Sequence, residues 1–385
     1  MAAARVLILG GGFGGLSTAH TLRARAGDAV EVTVVDRAPT FMMGLRKLWF
    51  LDGRTTRGQG ERPRSGLDRA GITFRQGSVE GINPARREVR VDGDAMPFDF
   101  LVVALGAQSR PDLVPGDGER NPNLYSVDGA EEAGRRLAEL DRGRAVVLVA
   151  GVPYKCPPAA YEAAFLIDDV LQRSKRRDRV AIDVLTPQPM SIPAAGPVAC
   201  AHIEGRLGTR NIGFRPNAKL EGVEPGRAVL AGGEAVEADL LMVVPPHRPP
   251  EVVTDAGLAT DGGWVAVDPR TLATEHDGVF AIGDVVEMQT GAGLPFPKAG
   301  IFAERHGEVV GKNIAAAVAG SPEEATFDGV GLCFLEIGGG QASFVSGDFL
   351  ASPPQVTIAD PSPEHLESKI AFERERLDRW LPEPE

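Results

Sequence analysis

A strand, a glycine-rich turn and a helix at residues 5–24, a second strand–turn–helix at residues 146–171, and a change to short strands after Ser321 together predict an α/β protein. The first two units each read as a three-layer, Rossmann-like dinucleotide-binding domain, and the last as a small C-terminal α+β domain. The expected boundaries are 1–125 with 249–320 for the first domain, 126–248 for the second and 321–385 for the third. A chain of 385 residues is long enough for this, and its 43% hydrophobic content can fill the cores.

In the first unit, Arg5 to Leu9 is a short strand, Gly10-Gly-Gly-Phe-Gly-Gly15 follows directly, and Leu16 to Ala24 continues as a helix. Gly10, Gly12 and Gly15 satisfy G-x-G-x-x-G in its required setting, with Phe13 and Gly14 inside the turn. Gly10 permits the tight turn, Gly12 lets a pyrophosphate reach the backbone, and Gly15 lets helix and sheet close up. The next strand, Val30 to Val35, ends in Asp36, placed to accept hydrogen bonds from a ribose, with Arg37 beside it. Residues 37–66 are irregular and rich in arginine and glycine. Within them Phe41 to Phe50 is apolar with two interspersed bases, and reads as core packing in preference to a helix lining the cofactor. Further strands are expected at Ile72–Gln76, Glu88–Val91 and Leu101–Val103. The last ends at Ala104-Leu-Gly106, where glycine allows close backbone approach.

The second unit opens with a helix, Val127 to Leu140, and a buried strand from Val146 to Val149. The turn that follows, Gly151-Val-Pro-Tyr-Lys-Cys156, has proline, tyrosine and lysine where a phosphate-cradling turn needs glycine. A helix, Ala159 to Leu171, comes next. The helix start and Lys155 are expected to favour thiolate at Cys156, a candidate reactive thiol in a site that has lost nucleotide binding. The alternative is a buried, inert cysteine. After the strand Val180–Leu185 no acidic ribose clamp appears, which agrees with the missing glycines. The basic run Arg173 to Arg179 reads as a solvated turn, and Cys200 as a structural residue on a helix. Ala238 to Val244 is a strand leading to His247, which either handles protons near a flavin or caps the turn.

In the third stretch the strand Val279–Ile282 ends in Gly283-Asp284. Glycine permits cofactor contact there, and the carboxylate can bind ribityl hydroxyls. Pro295-Phe-Pro-Lys-Ala-Gly300 opens a helix from Ile301 to Ala319, whose start, with Lys298 and Ala299, would stabilise negative charge on a reduced flavin. Cys333 lies before Gly338-Gly-Gly340; sequence alone leaves open whether it meets Cys156. The segment Pro363 to Leu381 is a helix with Leu366, Ile370, Leu377 and Trp380 or Leu381 on one face, read as a packing or dimer helix in preference to a membrane-surface one.

Fifty-three acids against 41 bases give a net charge of −12, which disfavours nucleic acid and anionic membrane surfaces and is compatible with a basic protein partner. Three cysteines cannot make a disulfide framework. No apolar run is long enough to span a membrane, and no signal peptide is visible. The expected location is cytoplasmic or peripheral to a membrane, with the periplasm open if a signal has been removed. Peripheral membrane contact and a homodimer also stay open, and no metal site is expected.

Pro153-Tyr-Lys-Cys-Pro-Pro158, Pro297-Lys-Ala299 and Cys333-Phe334, together with the more general glycine turn and Phe280-Ala-Ile-Gly-Asp284, carry a resemblance over nearly the whole chain. The sequence resembles sulfide:quinone oxidoreductases and the flavoprotein subunit of flavocytochrome c sulfide dehydrogenase. The resemblance implies non-covalent FAD in the first domain and a degenerate NAD-like second domain. It implies a redox disulfide between Cys156 and Cys333 beside the flavin ring, with Lys298 near that ring. Sulfide would attack the disulfide, leave as polysulfide or sulfur, and its electrons would pass to quinone or cytochrome c. Glu162 either moves protons near Cys156 or lies on a solvated face. Residues 124–134 lack the third cysteine of many quinone-linked members, and no cysteine precedes Cys156 to attach flavin covalently. An NADH:quinone oxidoreductase, a thiol–disulfide reductase and a non-enzymatic flavin-binding redox sensor are the competing readings.

Overall fold

The computed structural model describes residues 2–116 and 118–383. The chain begins with β1 (Ala4–Leu9), α1 (Phe13–Ala26), β2 (Val30–Asp36), β3 (Thr73–Gln76) and β4 (Phe100–Val103). It continues with α2 (Val127–Glu139), β5 (Gly143–Val149), α3 (Pro158–Arg173), β6 (Val180–Leu185), α4 (Gly196–Thr209), β7 (Ile212–Arg215) and β8 (Leu240–Val244). The last part holds β9 (Val279–Ala281), α5 (Gly300–Ala319), β10 (Val330–Gly338), β11 (Gln341–Asp348), β12 (Gln355–Ile358) and α6 (Pro363–Trp380).

Two parallel sheets organise the molecule. The first runs β9-β4-β1-β2-β3, the second β7-β6-β5-β8. In both, the chain reverses its direction of growth at the first strand, so a crevice opens beyond the carboxyl ends of β1 and β4, and of β5 and β8. Each central strand is buried on both faces, which is why β5 reads as an unbroken apolar run. Smaller antiparallel sheets at Val79–Pro97 and Leu220–Glu237 hang from the two units. The C-terminal α+β unit is the antiparallel sheet β10-β11-β12 with α6 packed against it.

Close approach of α1 and α5 builds the wall behind the glycine turn. A Cβ on Gly307 would stand 2.5 Å from the Gly14 carbonyl, so only glycine lets the two backbones meet. The C-terminal unit joins both cores: Leu377 and Trp380 belong to the core of the first sheet, Leu335 and Ile337 to that of the second.

Three expectations need correction. Phe41 to Phe50 is a short strand, Thr40–Met42, followed by a 3-10 stretch, Gly44–Phe50. Phe41, Met43, Leu48, Trp49 and Phe50 are packed inward as expected, but Phe41, Met42, Leu45, Lys47 and Leu48 also line a cavity. The basic run 173–179 is not simply a solvated turn. Arg176 donates to the carbonyls of Leu137, Ala138 and Leu140, and Arg177 pairs with the buried Asp168 at 2.5 Å, tying α2 and α3 to the neighbouring loops. On α6, Ile370 is 43% exposed, while Lys369, Glu373, Leu377 and Trp380 are buried. Buried charge, satisfied by partners on other elements, replaced the apolar stripe that the period suggested.

Candidate active site

The glycine turn is braced from both sides. The Gly10 N–H donates to the Val35 carbonyl at 2.7 Å, and a Cβ on Gly15 would fall 1.9 Å from the Gly10 carbonyl oxygen. Gly12 has open space where its side chain would be, which leaves the turn bare toward the crevice. Asp36 accepts the Gly11 N–H at 2.8 Å and the Ala38 N–H at 2.9 Å, and pairs with Arg64 at 3.3 Å. Arg64, which is buried, also donates to the Gly11 carbonyl at 3.0 Å. Asp36 therefore holds the turn in shape through contacts within the chain, and Arg37 is exposed.

From this turn a cavity of about 320 Å³ runs to the two cysteines. Of the expected cofactor residues, Gly12, Phe13, Gly14, Ala104, Gly106, Gly283, Asp284, Lys298 and Ala299 line it. Gly10, Gly15, Asp36 and Arg37 do not. One carboxylate oxygen of Asp284 is buried with no partner, and burial pushes its carboxyl above the usual range. A bare glycine turn at one place and an orphaned buried acceptor at another fit a cofactor carrying both phosphates and hydroxyls. His306, buried and held near pKa 3 by burial, accepts the Gly283 N–H at 3.2 Å and so fixes the backbone beside Asp284. The Lys298 ammonium donates to the carbonyls of Asp284 (2.7 Å) and Val286 (3.2 Å) and stands 3.5 Å above the Trp264 ring; burial lowers it to about 8.

Cys156 and Cys333, distant in sequence, share the cavity wall as free thiols. Cys156 has φ +47° just before α3, a rare conformation for a side-chain-bearing residue. Its N–H donates to the Lys298 carbonyl at 2.6 Å, and its carbonyl accepts the Tyr125 hydroxyl at 3.0 Å. Interaction with Cys333 and burial push the Cys156 thiol well up, while interaction with Cys156 lowers Cys333. The expected lowering at Cys156 is thus corrected: within the pair it is Cys333 whose thiol is shifted toward ionisation. A helix start and a nearby lysine are weaker than a second sulfur alongside.

Both thiols also border a second, apolar chamber of about 60 Å³. Its walls include Ile192, Ala199, Ile203, Phe302 and Val345.

Behind the thiols lies a charge cluster. Glu162 is buried, not solvated, and it pairs with Lys369 and accepts the Glu336 N–H at 3.0 Å. Lys369 also pairs with Glu336 at 3.0 Å, and Glu336 accepts the Trp49 indole N–H at 3.0 Å and pairs with Arg54. Burial works against every charge here. The fields of Lys369 and Arg54 overcome it at Glu336, which is lowered, and two carboxylates overcome it at Lys369, which is raised. At Glu162 burial wins and the carboxyl is raised, so Glu162 is the weak acid of the group. His247 is buried and lies outside the cavity lining. Its Nδ1 is 3.0 Å from the Pro245 carbonyl, its ring packs edge-on against Tyr125 at 5.4 Å, and burial and Lys155 lower it to about 3.

Lys369, Glu336, Tyr125 and Lys47 were not legible as site residues. A faint signal existed: the chain has three tyrosines, Tyr125, Tyr154 and Tyr161, two of them flanking Cys156 in sequence, and all three are buried near it. Cys200 is buried, with its sulfur bonded to the Ile192 backbone, consistent with a packing role. Among the described residues no cluster of His, Cys, Asp and Glu could hold a metal ion, and no helix is long and apolar enough to cross a membrane.

The comparisons with known proteins make this an FAD-dependent oxidoreductase. The chain belongs to the pyridine nucleotide-disulphide oxidoreductase family, whose model matches residues 4–307. It is 25% identical over 378 residues to the mitochondrial sulfide:quinone oxidoreductase of Mus musculus, covering 94% of this chain and 82% of that protein. It is also 25% identical over 400 residues to the sulfide-quinone reductase of Aquifex aeolicus (strain VF5), covering 97% and 90%. The crystal structure of the sulfide:quinone oxidoreductase from Aquifex aeolicus superposes with a TM-score of 0.87 at 23% identity, covering 99% of this chain and 96% of that one. A chloroplastic/mitochondrial alternative NAD(P)H-ubiquinone oxidoreductase of Arabidopsis thaliana is 26% identical over 363 residues.

Proposed function

We propose that this protein oxidises sulfide to polysulfide or sulfur through Cys156 and Cys333 and passes the electrons by way of FAD to a quinone. The observation that carries the reading is that two cysteines from separate units border one cavity with the bare glycine turn. Gly12, Asp284 and Ala299 would hold FAD, with residues 1–125 and 249–320 as its domain. Bound FAD supplies a two-electron acceptor for the dithiol.

In the oxidised enzyme Cys156 and Cys333 are joined as a disulfide. Hydrosulfide attacks the Cys156 sulfur, forming a persulfide there, and the bond to Cys333 breaks. Cys333 leaves as thiolate, as its lowered pKa favours. A second hydrosulfide removes the outer sulfur as disulfide anion and leaves a thiol on Cys156. Re-forming the Cys156–Cys333 bond releases two electrons and a proton. Glu162, the weak acid beside the pair, is placed to take that proton, with Lys369 holding its carboxylate.

Leu332, Phe334 and Phe372 give the Lys369 side of the cavity apolar walls, which suits a quinone ring better than a protein haem. NADH as donor is disfavoured because the turn 151–156 has no glycine after Gly151, and a Cβ on Gly151 would already stand 3.1 Å from Pro246. The deciding experiment mixes the flavin-loaded protein anaerobically with sulfide or NADH and follows flavin absorbance. Bleaching by sulfide and not by NADH is expected, lost in Cys156→Ser and Cys333→Ser. Bleaching by NADH alone would end this reading.

A further inference from the structure

The cavity contains two ammonium groups that sulfur exchange leaves unused. Lys47, from the 3-10 stretch, donates to the Tyr125 carbonyl at 2.9 Å, and Tyr125 in turn holds the Cys156 carbonyl through its hydroxyl. Lys155 immediately precedes Cys156. Both line the cavity. Neither takes part in an ion pair among the described residues, whereas Lys369, which lines the same cavity, is bracketed by two carboxylates.

The charge of Lys155 reaches Lys47, and burial together with that repulsion lowers Lys47 to about 8. The other groups facing the pair do not cancel it. Asp284 feels Lys155 and Lys298 but has its carboxyl pushed up by burial. The Lys298 ammonium is turned onto two backbone carbonyls. His247 is neutral, and the Tyr125 phenol is protonated, held well up by burial. Two half-buried cations that make no ion pair among the described residues repel each other, and an anion between them relieves that repulsion.

Resting on the sulfide reading of Cys156 and Cys333, we propose that Lys47 and Lys155 form the site that receives the substrate as a monovalent anion, holding hydrosulfide beside Cys156. The ionised form is the one that can attack a disulfide, so a site selective for the anion also selects the nucleophile. Lys47 is tied to the Cys156 segment through Tyr125 and not to the glycine turn, so its removal should spare the cofactor, whereas the charge of Lys155 also reaches Asp284.

The test uses the flavin-loaded protein with Lys47→Met, Lys155→Met, the double variant and Lys47→Arg. Each is bleached anaerobically with sulfide over a concentration series, and separately with tris(hydroxypropyl)phosphine, an uncharged disulfide reductant that attacks as a neutral nucleophile. For each methionine variant we expect about a tenfold rise in half-saturating sulfide, with the limiting rate within about twofold of wild type. Lys47→Arg should match wild type, flavin content should be unchanged in the Lys47 variants, and reduction by the phosphine should be unchanged throughout. Unaltered half-saturation, equal losses with sulfide and the phosphine, or loss of FAD from Lys47→Met would each overturn the anion site. The parent reading fails differently, by a wild-type protein that sulfide does not bleach. In that case titration with thiocyanate, followed by the flavin spectrum, decides the site alone: a wild-type shift absent from the double variant supports it, and no difference sinks it.

Discussion

Cys156 holds a left-handed backbone conformation that costs a non-glycine residue about 1 kcal/mol or more. Hydrogen bonds from its N–H to Lys298 and to its carbonyl from Tyr125 hold it there. Tyr125→Phe removes one of them and leaves a buried carbonyl less well satisfied. It should lower stability by about 1 kcal/mol in urea denaturation and slow sulfide-dependent bleaching. Lys47 gives a pH signature. It titrates near 8 in the fold against an ordinary 10.5, so between those values the unfolded chain binds more protons and stability rises with pH. Lys47→Met should therefore stabilise the sulfide-free protein by about 2 kcal/mol near neutral pH, with the gain disappearing above about pH 10.5, as read from urea midpoints across pH. At this scale the sequence was informative where a rare residue type stood in an unusual setting, as Cys156 does among prolines. It was silent on Lys47 and Glu336, whose roles come from neighbours brought together by the fold. The misplaced thiolate has the same origin, because Cys333 is adjacent only in three dimensions.

Among the elements, α6 departs most from its sequence pattern. Its apolar residues suggested one face, yet its buried side carries Lys369 and Glu373, with Arg46 meeting Glu373 through two contacts, of 2.7 and 2.5 Å. A helical period detects apolar stripes and cannot show that a charge has partners waiting on α3 and β10. Lys369→Met would leave Glu162 and Glu336 without their shared cation, and should cost about 3–5 kcal/mol. Adding Glu162→Gln should recover a substantial part of that, and chemical denaturation of the two variants checks both claims. The α1–α5 contact is legible only in part, since the glycine turn announces α1 but nothing announces Gly307. Gly307→Val should push α5 off the Gly14 carbonyl and cost about 1–3 kcal/mol, with weakened flavin retention measured by absorbance after gel filtration.

Across the whole molecule, the two parallel sheets were readable because strand–turn–helix units are local in sequence, while the way the third unit closes over them was not. Trp380 packs edge-on against Phe13 at 5.6 Å, its carbonyl meets His20 at 3.0 Å, and Arg376 and Arg379 hold the buried Glu304 of α5 at 2.7 and 2.6 Å. Trp49, on the other side of α6, reports on the charge cluster through Glu336. Tryptophan fluorescence and flavin release should accordingly follow a single urea transition; flavin leaving at distinctly lower urea would show that the units separate first. The thiols themselves have a further consequence. They border both an apolar chamber and the larger cavity. On the proposed cycle the disulfide must be re-formed before sulfide can attack again, so donor and oxidant act in alternate half-turns and need never be bound together. Such an enzyme works by turns, and initial-rate plots at several fixed levels of the oxidant should give parallel lines.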